Sequence, residues 1–164
     1  MKSNLILTGM PGAGKSTVGV ILAKVLGFDF VDVDILIAKR QGQTLQEILD
    51  TQGIDAFLQI EAQEGASLHT EKTVIATGGS MILSDAAMTH LKGNGLCIYL
   101  DVSPDTLVHR LTNMETRGIA AAADTGIEQI YAERHPRYQR YADLTIDCQD
   151  LSMEEVVAEI VKQL

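Results

Sequence analysis

The stretch that most restricts this chain is Leu5-Ile6-Leu7-Thr8-Gly9-Met10-Pro11-Gly12-Ala13-Gly14-Lys15-Ser16-Thr17. An apolar run leads into a glycine-rich loop, and a helical pattern follows from Lys15 to Leu26. Gly9, Gly14, Lys15 and Ser16 satisfy the P-loop pattern G-x-x-x-x-G-K-[ST] in full. Glycines let the backbone take positive φ and bring N–H groups close to phosphate oxygens. The first turn of the following helix offers unpaired N–H groups and the positive end of its dipole to the same anion. The pattern therefore predicts a nucleotide site built from Gly12, Ala13, Gly14, Lys15, Ser16 and Thr17. Lys15 reaches the outer phosphates and the Ser16 hydroxyl holds Mg²⁺.

Composition narrows the class. The 164 residues suit one domain, with 46% hydrophobic and 21% charged residues, as in a water-soluble globular protein. The apolar runs are too short to cross a bilayer. Only Met1 to Asn4 precede the first strand, too few for a secretory leader, and Cys97 and Cys148 stand apart with no C-x-x-C. The expectation is a cytoplasmic protein with a buried thiol at Cys97. A net charge of −9 argues against a nucleic-acid partner. It leaves room for a small anionic substrate in a local basic pocket.

Apolar β-prone runs alternate with helical stretches, which predicts a parallel sheet covered on both faces: a three-layer α/β/α fold over residues 1–164. Strands are expected near 4–8, 29–33, 72–76, 96–101 and 143–147. Helices are expected over 15–26, 34–41, 44–50, 53–69, 84–91, 104–112, 124–140 and 152–163. Thr44 with Glu47, and Ser152 with Glu155, form capping boxes. Ser84 and Ser103 read as N-caps.

Further candidates lie at strand ends, where open α/β sheets bind ligands. Asp32 and Asp34 point the same way if both lie on the second strand, or diverge into one cleft if the turn begins between them. They read either as a Mg²⁺-side carboxylate (Asp32) and a substrate-hydroxyl contact (Asp34), or as solvated, capping carboxylates. Gly78-Gly79 allows close backbone approach to a ligand, or simply makes a tight turn. Residues 113–123, small and flexible around Arg117, fit a mobile lid carrying a guanidinium, or a surface loop. Arg134, Arg137 and Arg140 recur along one helical stretch interrupted by Pro136. The four histidines have no metal-binding spacing and are assigned no catalysis.

The order and spacing of Gly9–Thr17, Asp32/Asp34, Phe57 with Glu61, Thr77-Gly78-Gly79, Arg117, and Arg134-His135-Pro136-Arg137-Tyr138 followed by Ala142-Asp143 resemble the shikimate kinase family of small P-loop kinases. The likeness spans nearly the whole chain. It implies a five-stranded parallel sheet, a substrate-binding region over about 33–61 and a lid over about 113–124. It implies transfer of the ATP γ-phosphate to the 3-hydroxyl of shikimate with Mg²⁺, in aromatic amino acid biosynthesis. By the same resemblance Lys15, Asp34 and Arg117 are catalytic, Asp34, Gly78, Gly79 and Arg134 bind the substrate, Arg117 touches the nucleotide, and Ser16 and Asp32 hold the metal. The adenine is expected near the loop Asp147–Leu151.

Three positions depart from the family pattern. Leu58 stands where the family places a carboxylate-binding arginine, Ser80 where it places a third glycine, and Gly118-Ile119 where Arg117 would be followed by Pro-Leu. Leu58 motivates a second reading, the same reaction on another small hydroxylated acid or amino acid such as homoserine. A third is a nucleotide-binding module without transfer. The expected partner is a small hydroxylated acid, with neither nucleic acid nor membrane, and a monomer is favoured.

Overall fold

The computed structural model describes residues 2–111, 118–121 and 125–164. Five strands, β1 (Asn4–Thr8), β2 (Asp29–Asp32), β3 (Thr73–Ala76), β4 (Gly95–Asp101) and β5 (Leu144–Asp147), form one sheet in the order β2-β3-β1-β4-β5. Every pairing is parallel. The helices are α1 (Lys15–Leu26), α2 (Val33–Gln41), α3 (Leu45–Gln52), α4 (Ile54–Ser67), α5 (Asp85–Gly93), α6 (Pro104–Leu111), α7 (Ile127–Tyr141) and α8 (Met153–Gln163), with a 3-10 turn at Met81–Leu83.

The strand order fixes the layers. A connection between parallel strands crosses over right-handed. From β1 the chain moves one way along the sheet to β2, and from β3 it moves the opposite way to β4 and on to β5. The connecting helices therefore land on opposite faces. α1 packs with α8 on one face, while α5 and α7 lie against β4 on the other. β1 is buried along its whole length, as a central strand covered on both faces must be. Its side chains alternate. A Cβ on Gly19 of α1 would meet Leu7, and one on Gly95 would meet Ile6 and the Leu91 carbonyl of α5. Each such fully buried aliphatic side chain contributes about 1.5–3 kcal/mol. Among the described residues no helix is long and apolar enough to cross a membrane.

The caps explain where several helices begin. Both capping boxes form: Thr44 accepts from Glu47 N and Ser152 from Glu155 N. Ser84 caps α5, and Ser103 Oγ accepts from Thr106 N at 3.4 Å before α6. α7 begins at Ile127 rather than 124 and α4 ends at Ser67 rather than 69, but the boundary shift that bears on the site is at β2, which ends at Asp32 rather than 33. Asp32 Oδ1 accepts from Ile35 N at 3.2 Å, so it caps α2 and hands Val33 to the helix. α7 runs unbroken through Pro136.

β4 also carries the buried thiol. Cys97 is fully buried beside Thr8 Oγ1, 3.8 Å away, and burial pushes its pKa up to about 11. Asp143 Oδ2 accepts from Cys97 N at 2.8 Å and ties the start of β5 to β4.

Candidate active site

The P-loop takes the shape its glycines allow. Gly9 has φ 154°, and a Cβ there would stand 2.8 Å from the Leu100 carbonyl oxygen, so no other residue fits without moving β4. The loop closes through Ala13 N donating to Met10 O at 3.0 Å. α1 then starts at Lys15 with no side-chain cap, which leaves its first N–H groups facing the loop. Lys15 is 8% exposed, and its Nζ donates to Gly9 O at 2.7 Å and Met10 O at 2.9 Å. Those carbonyls hold the ammonium over the loop. Arg110 of α6 donates to Gly12 O at 3.0 Å, and Met153 at the start of α8 abuts Gly14. The loop after β5 thus leads to the flank of the P-loop, where the adenine is expected.

Ser16 Oγ donates to Asp32 Oδ2 at 2.5 Å. The turn between Asp32 and Asp34 has begun, so these carboxylates diverge, Asp32 toward Ser16 and Asp34 into the cavity. A hydroxyl and a carboxylate converging at a phosphate loop are hard oxygen donors suited to Mg²⁺. Among the described residues no cluster of three or more His, Cys, Asp or Glu could hold a metal. Two protein oxygens fit an ion that keeps several waters and takes its remaining ligands from phosphate.

The cavity in front of the loop measures about 340 Å³. Gly12, Gly14, Lys15, Ser16 and Thr17 line it from one side, while Ala13 is buried beneath the loop. Asp34 from α2, Phe57 and Glu61 from α4, Gly79 and Ser80 after β3, and Arg134 from α7 line the other. Gly118, Ile119 and Ala120 complete the wall. Arg117, with the rest of the expected lid at 113–117 and 122–124, lies outside the described residues.

Arg134 is 3% exposed, and its Nη2 donates to Ala120 O at 2.8 Å. Gly78 stands behind Gly79. A Cβ on Gly78 would lie 2.0 Å from Glu61 Oε2 and 2.8 Å from Asp34 Oδ1, so the two carboxyls close in only because no side chain is there. Tyr138 donates to Gly79 O at 2.5 Å and stacks on Tyr99 with ring centroids 4.9 Å apart, which fixes the glycine backbone from behind. Arg137 and Arg140 are exposed; Arg140 lies over the Tyr141 ring. His135 stacks on Tyr131 and bonds the Tyr99 hydroxyl at 2.8 Å, a packing role.

Residue-by-residue reading gave Glu61, Ser80 and Tyr138 no role in the site. Glu61 did carry a signal. Phe57, Glu61 and Gly65 are the buried residues of α4 at i, i+4 and i+8, so one carboxyl sits within an inward-facing stripe. An acidic residue at such a position requires either a partner or a proton.

A parallel sheet whose first strand runs through a P-loop into a helix, with a carboxylate-bearing cavity across from it, defines a P-loop phosphotransferase. The family model described as shikimate kinase matches residues 11–164. The shikimate kinase of Thermodesulfovibrio yellowstonii is 38% identical over 98% of this chain and 94% of its own. That of Caldanaerobacter subterraneus subsp. tengcongensis is 35% identical over 97% and 94%. The structure of shikimate kinase from Acinetobacter baumannii in complex with shikimate superposes with a TM-score of 0.90 at 27% identity, over 98% of this chain and 92% of that one. The chain belongs to the shikimate kinase family.

Proposed function

We propose that this protein transfers the γ-phosphate of ATP to the 3-hydroxyl of shikimate. The observation that carries the reading is one cavity of about 340 Å³ that Lys15, Asp34 and Arg134 all line, in a chain matched by the shikimate kinase model over residues 11–164. Phosphoryl transfer needs positioning and charge neutralisation more than covalent chemistry. The loop Gly12–Thr17 cradles the phosphates, and the Lys15 ammonium offsets charge on the transferring group. Ser16 and Asp32 are the residues that would hold Mg²⁺, which neutralises charge across the outer phosphates when bound. Asp34 orients the accepting hydroxyl and takes its proton. The Gly78-Gly79 backbone and the Arg134 guanidinium hold the acceptor, with its carboxylate on Arg134. Arg117 is assigned to the nucleotide phosphates by the family resemblance alone.

ADP release that depends on added shikimate tests this reading. No shikimate-dependent ADP at millimolar shikimate would overturn it. A second acceptor is favoured by one observation: among the described residues Arg134 is the one guanidinium lining the cavity, and position 58, where the family resemblance places another, is a half-buried leucine. A smaller hydroxylated acid or amino acid such as homoserine would need only that one arm. A panel of hydroxylated metabolites in a coupled ADP assay separates the two readings, and turnover with shikimate alone removes the second.

A further inference from the structure

Glu61 is 2% exposed, and its two oxygens have different surroundings. Oε1 accepts from Ser80 Oγ at 2.5 Å. Oε2 is buried with no hydrogen-bond partner, pressed against Gly78 at the point that Asp34 Oδ1 also approaches. Four other groups act on its charge. Asp34 on α2 opposes it, Lys15 on α1 and Arg134 on α7 favour it, and the Tyr138 hydroxyl on α7 faces the same space. α3 and α5, also packed on α4, present the apolar Ile48, Ala87 and Met88.

A carboxylate buried with one oxygen unpartnered among the described residues, beside a second carboxylate, is costly, whereas the neutral acid is less so. Burial is the largest influence. It pushes the Glu61 carboxyl up to about 7, against the opposing pull of the Ser80 hydrogen bond. Arg134 bears the matching gap: its Nε is also buried without a partner. The cavity thus holds one guanidinium whose Nε has no partner among the described residues and one carboxyl whose charge would act on it.

We propose that Glu61, clamped by Ser80, works as a neutral acid, and that its proton sets how tightly the cavity holds an anionic acceptor. Neutral Glu61 leaves Arg134 free to spend its charge on the acceptor's carboxylate. Ionised Glu61 competes for that guanidinium and repels the incoming anion. Ser80 is a positioning residue that acts through Glu61. The inference rests on the acceptor reading proposed above.

The experiment measures kcat and KM for shikimate between about pH 5.5 and about pH 9 in the wild type, Glu61→Gln and Ser80→Ala. The wild-type KM is expected to rise about tenfold as pH passes 7, equivalent to one lost charge-assisted contact, while kcat changes far less. Glu61→Gln, which keeps the neutral shape and the oxygen facing Ser80, should hold a flat KM through that range. Ser80→Ala removes the bond that favours the carboxylate, so the rise in KM should move to higher pH. A shared pH course for wild type and Glu61→Gln, a change confined to kcat, or an unmoved Ser80→Ala profile would each overturn the proposal. Infrared titration needs no acceptor. A carboxylic-acid carbonyl band present in the wild type below pH 7, lost above it and missing in Glu61→Gln supports the neutral acid, and its absence refutes it. If the wild type releases no ADP with shikimate, the kinase reading fails separately, and the infrared band still decides the state of Glu61.

Discussion

The two walls of the cleft satisfy their polar groups differently. On the nucleotide side, Lys15 is bonded to two loop carbonyls, Ser16 to Asp32, and Asp32 in turn to Ile35 N. On the acceptor side, Glu61 Oε2 and Arg134 Nε are buried with nothing to bond, two of the three such side-chain atoms found among the described residues. A buried polar atom without a partner costs about 1–3 kcal/mol, so two of them on one wall mark it as the less self-satisfied of the two. The nucleotide wall satisfies its own polar groups, built by one short stretch together with Asp32 at the end of β2. The acceptor wall is assembled from α2, α4, α7 and the turn after β3, and it leaves these two buried atoms without a partner among the described residues. Substitutions should therefore act on the first wall as loss of chemistry and on the second as changes in acceptor affinity.

The largest effect should come from the lysine. Lys15→Ala removes the cation proposed to offset charge on the transferring group, and loss of such an electrostatic contact costs about 10²–10³ in rate or more. Turnover in the coupled assay should fall to background while the fold survives by circular dichroism. Asp34→Asn comes next and sharpens the contrast, since Asp34 reaches across from the acceptor wall. Loss of a general base costs about 10²–10⁴ in kcat. ATP affinity by fluorescence titration should barely change, because the Gly12–Thr17 loop that cradles the phosphates is left intact. An unchanged kcat in Asp34→Asn would remove that residue from the mechanism.

Glu61 tests the acceptor wall by stability rather than rate. Its folded pKa is raised from 4.5 to about 7, so the unfolded chain gives up this proton more readily than the folded one. The stability tied to the neutral acid is complete below pH 4.5 and is lost as pH rises through 7. The loss amounts to about 3 kcal/mol at roughly 1.4 kcal/mol per unit. Glu61→Gln should accordingly match the wild type in urea unfolding at acid pH and exceed it by about that amount well above pH 7. Equal stabilities across the range would show that the folded protein already carries an ionised Glu61.

The same contrast explains what the sequence disclosed. The P-loop was legible because its chemistry is local. Gly9, Gly14, Lys15 and Ser16 are fixed by the shape of one loop, and adjacent residues specify it. The sheet was legible because short β-prone runs alternate with helical stretches, the three central strands β1, β3 and β4 being almost wholly buried. The sequence left open whether Asp32 and Asp34 share a strand, because the answer depends on Asp32 turning back to cap α2. Arg134 could not be told from Arg137 by period, since burial on α7 is decided by Tyr99 and the turn after β3, far away in the chain. Ser80 reads as a turn residue until α4 brings Glu61 to it from 19 positions away.

Leu58 tests whether the acceptor wall keeps the family's geometry. Leu58→Arg restores the charge that the family resemblance places there. One charge-assisted hydrogen bond is worth about 1.5–3 kcal/mol, so KM for shikimate should fall by about one to two orders of magnitude with kcat little altered. An unchanged or higher KM would mean that the acceptor lies elsewhere or is a different molecule. Such a result would direct attention to the metabolite panel.

The smallest effect compares identical local motifs in the two regions. Thr44 and Ser152 each close a capping box, and removing such a hydroxyl costs about 1 kcal/mol. Thr44 opens α3, whose first residue, Leu45, lines the cavity. Ser152 opens α8, which packs on α1 away from the acceptor wall. Thr44→Ala and Ser152→Ala should therefore lower the Tm by similar amounts, a few degrees, for a domain of this size. Only Thr44→Ala should also raise the KM for the acceptor, by a factor of about two to five, because fraying α3 loosens Leu45 against the cavity while leaving the P-loop untouched. If Ser152→Ala raises the acceptor KM equally, the two walls are one cooperative unit and the division drawn between them does not hold.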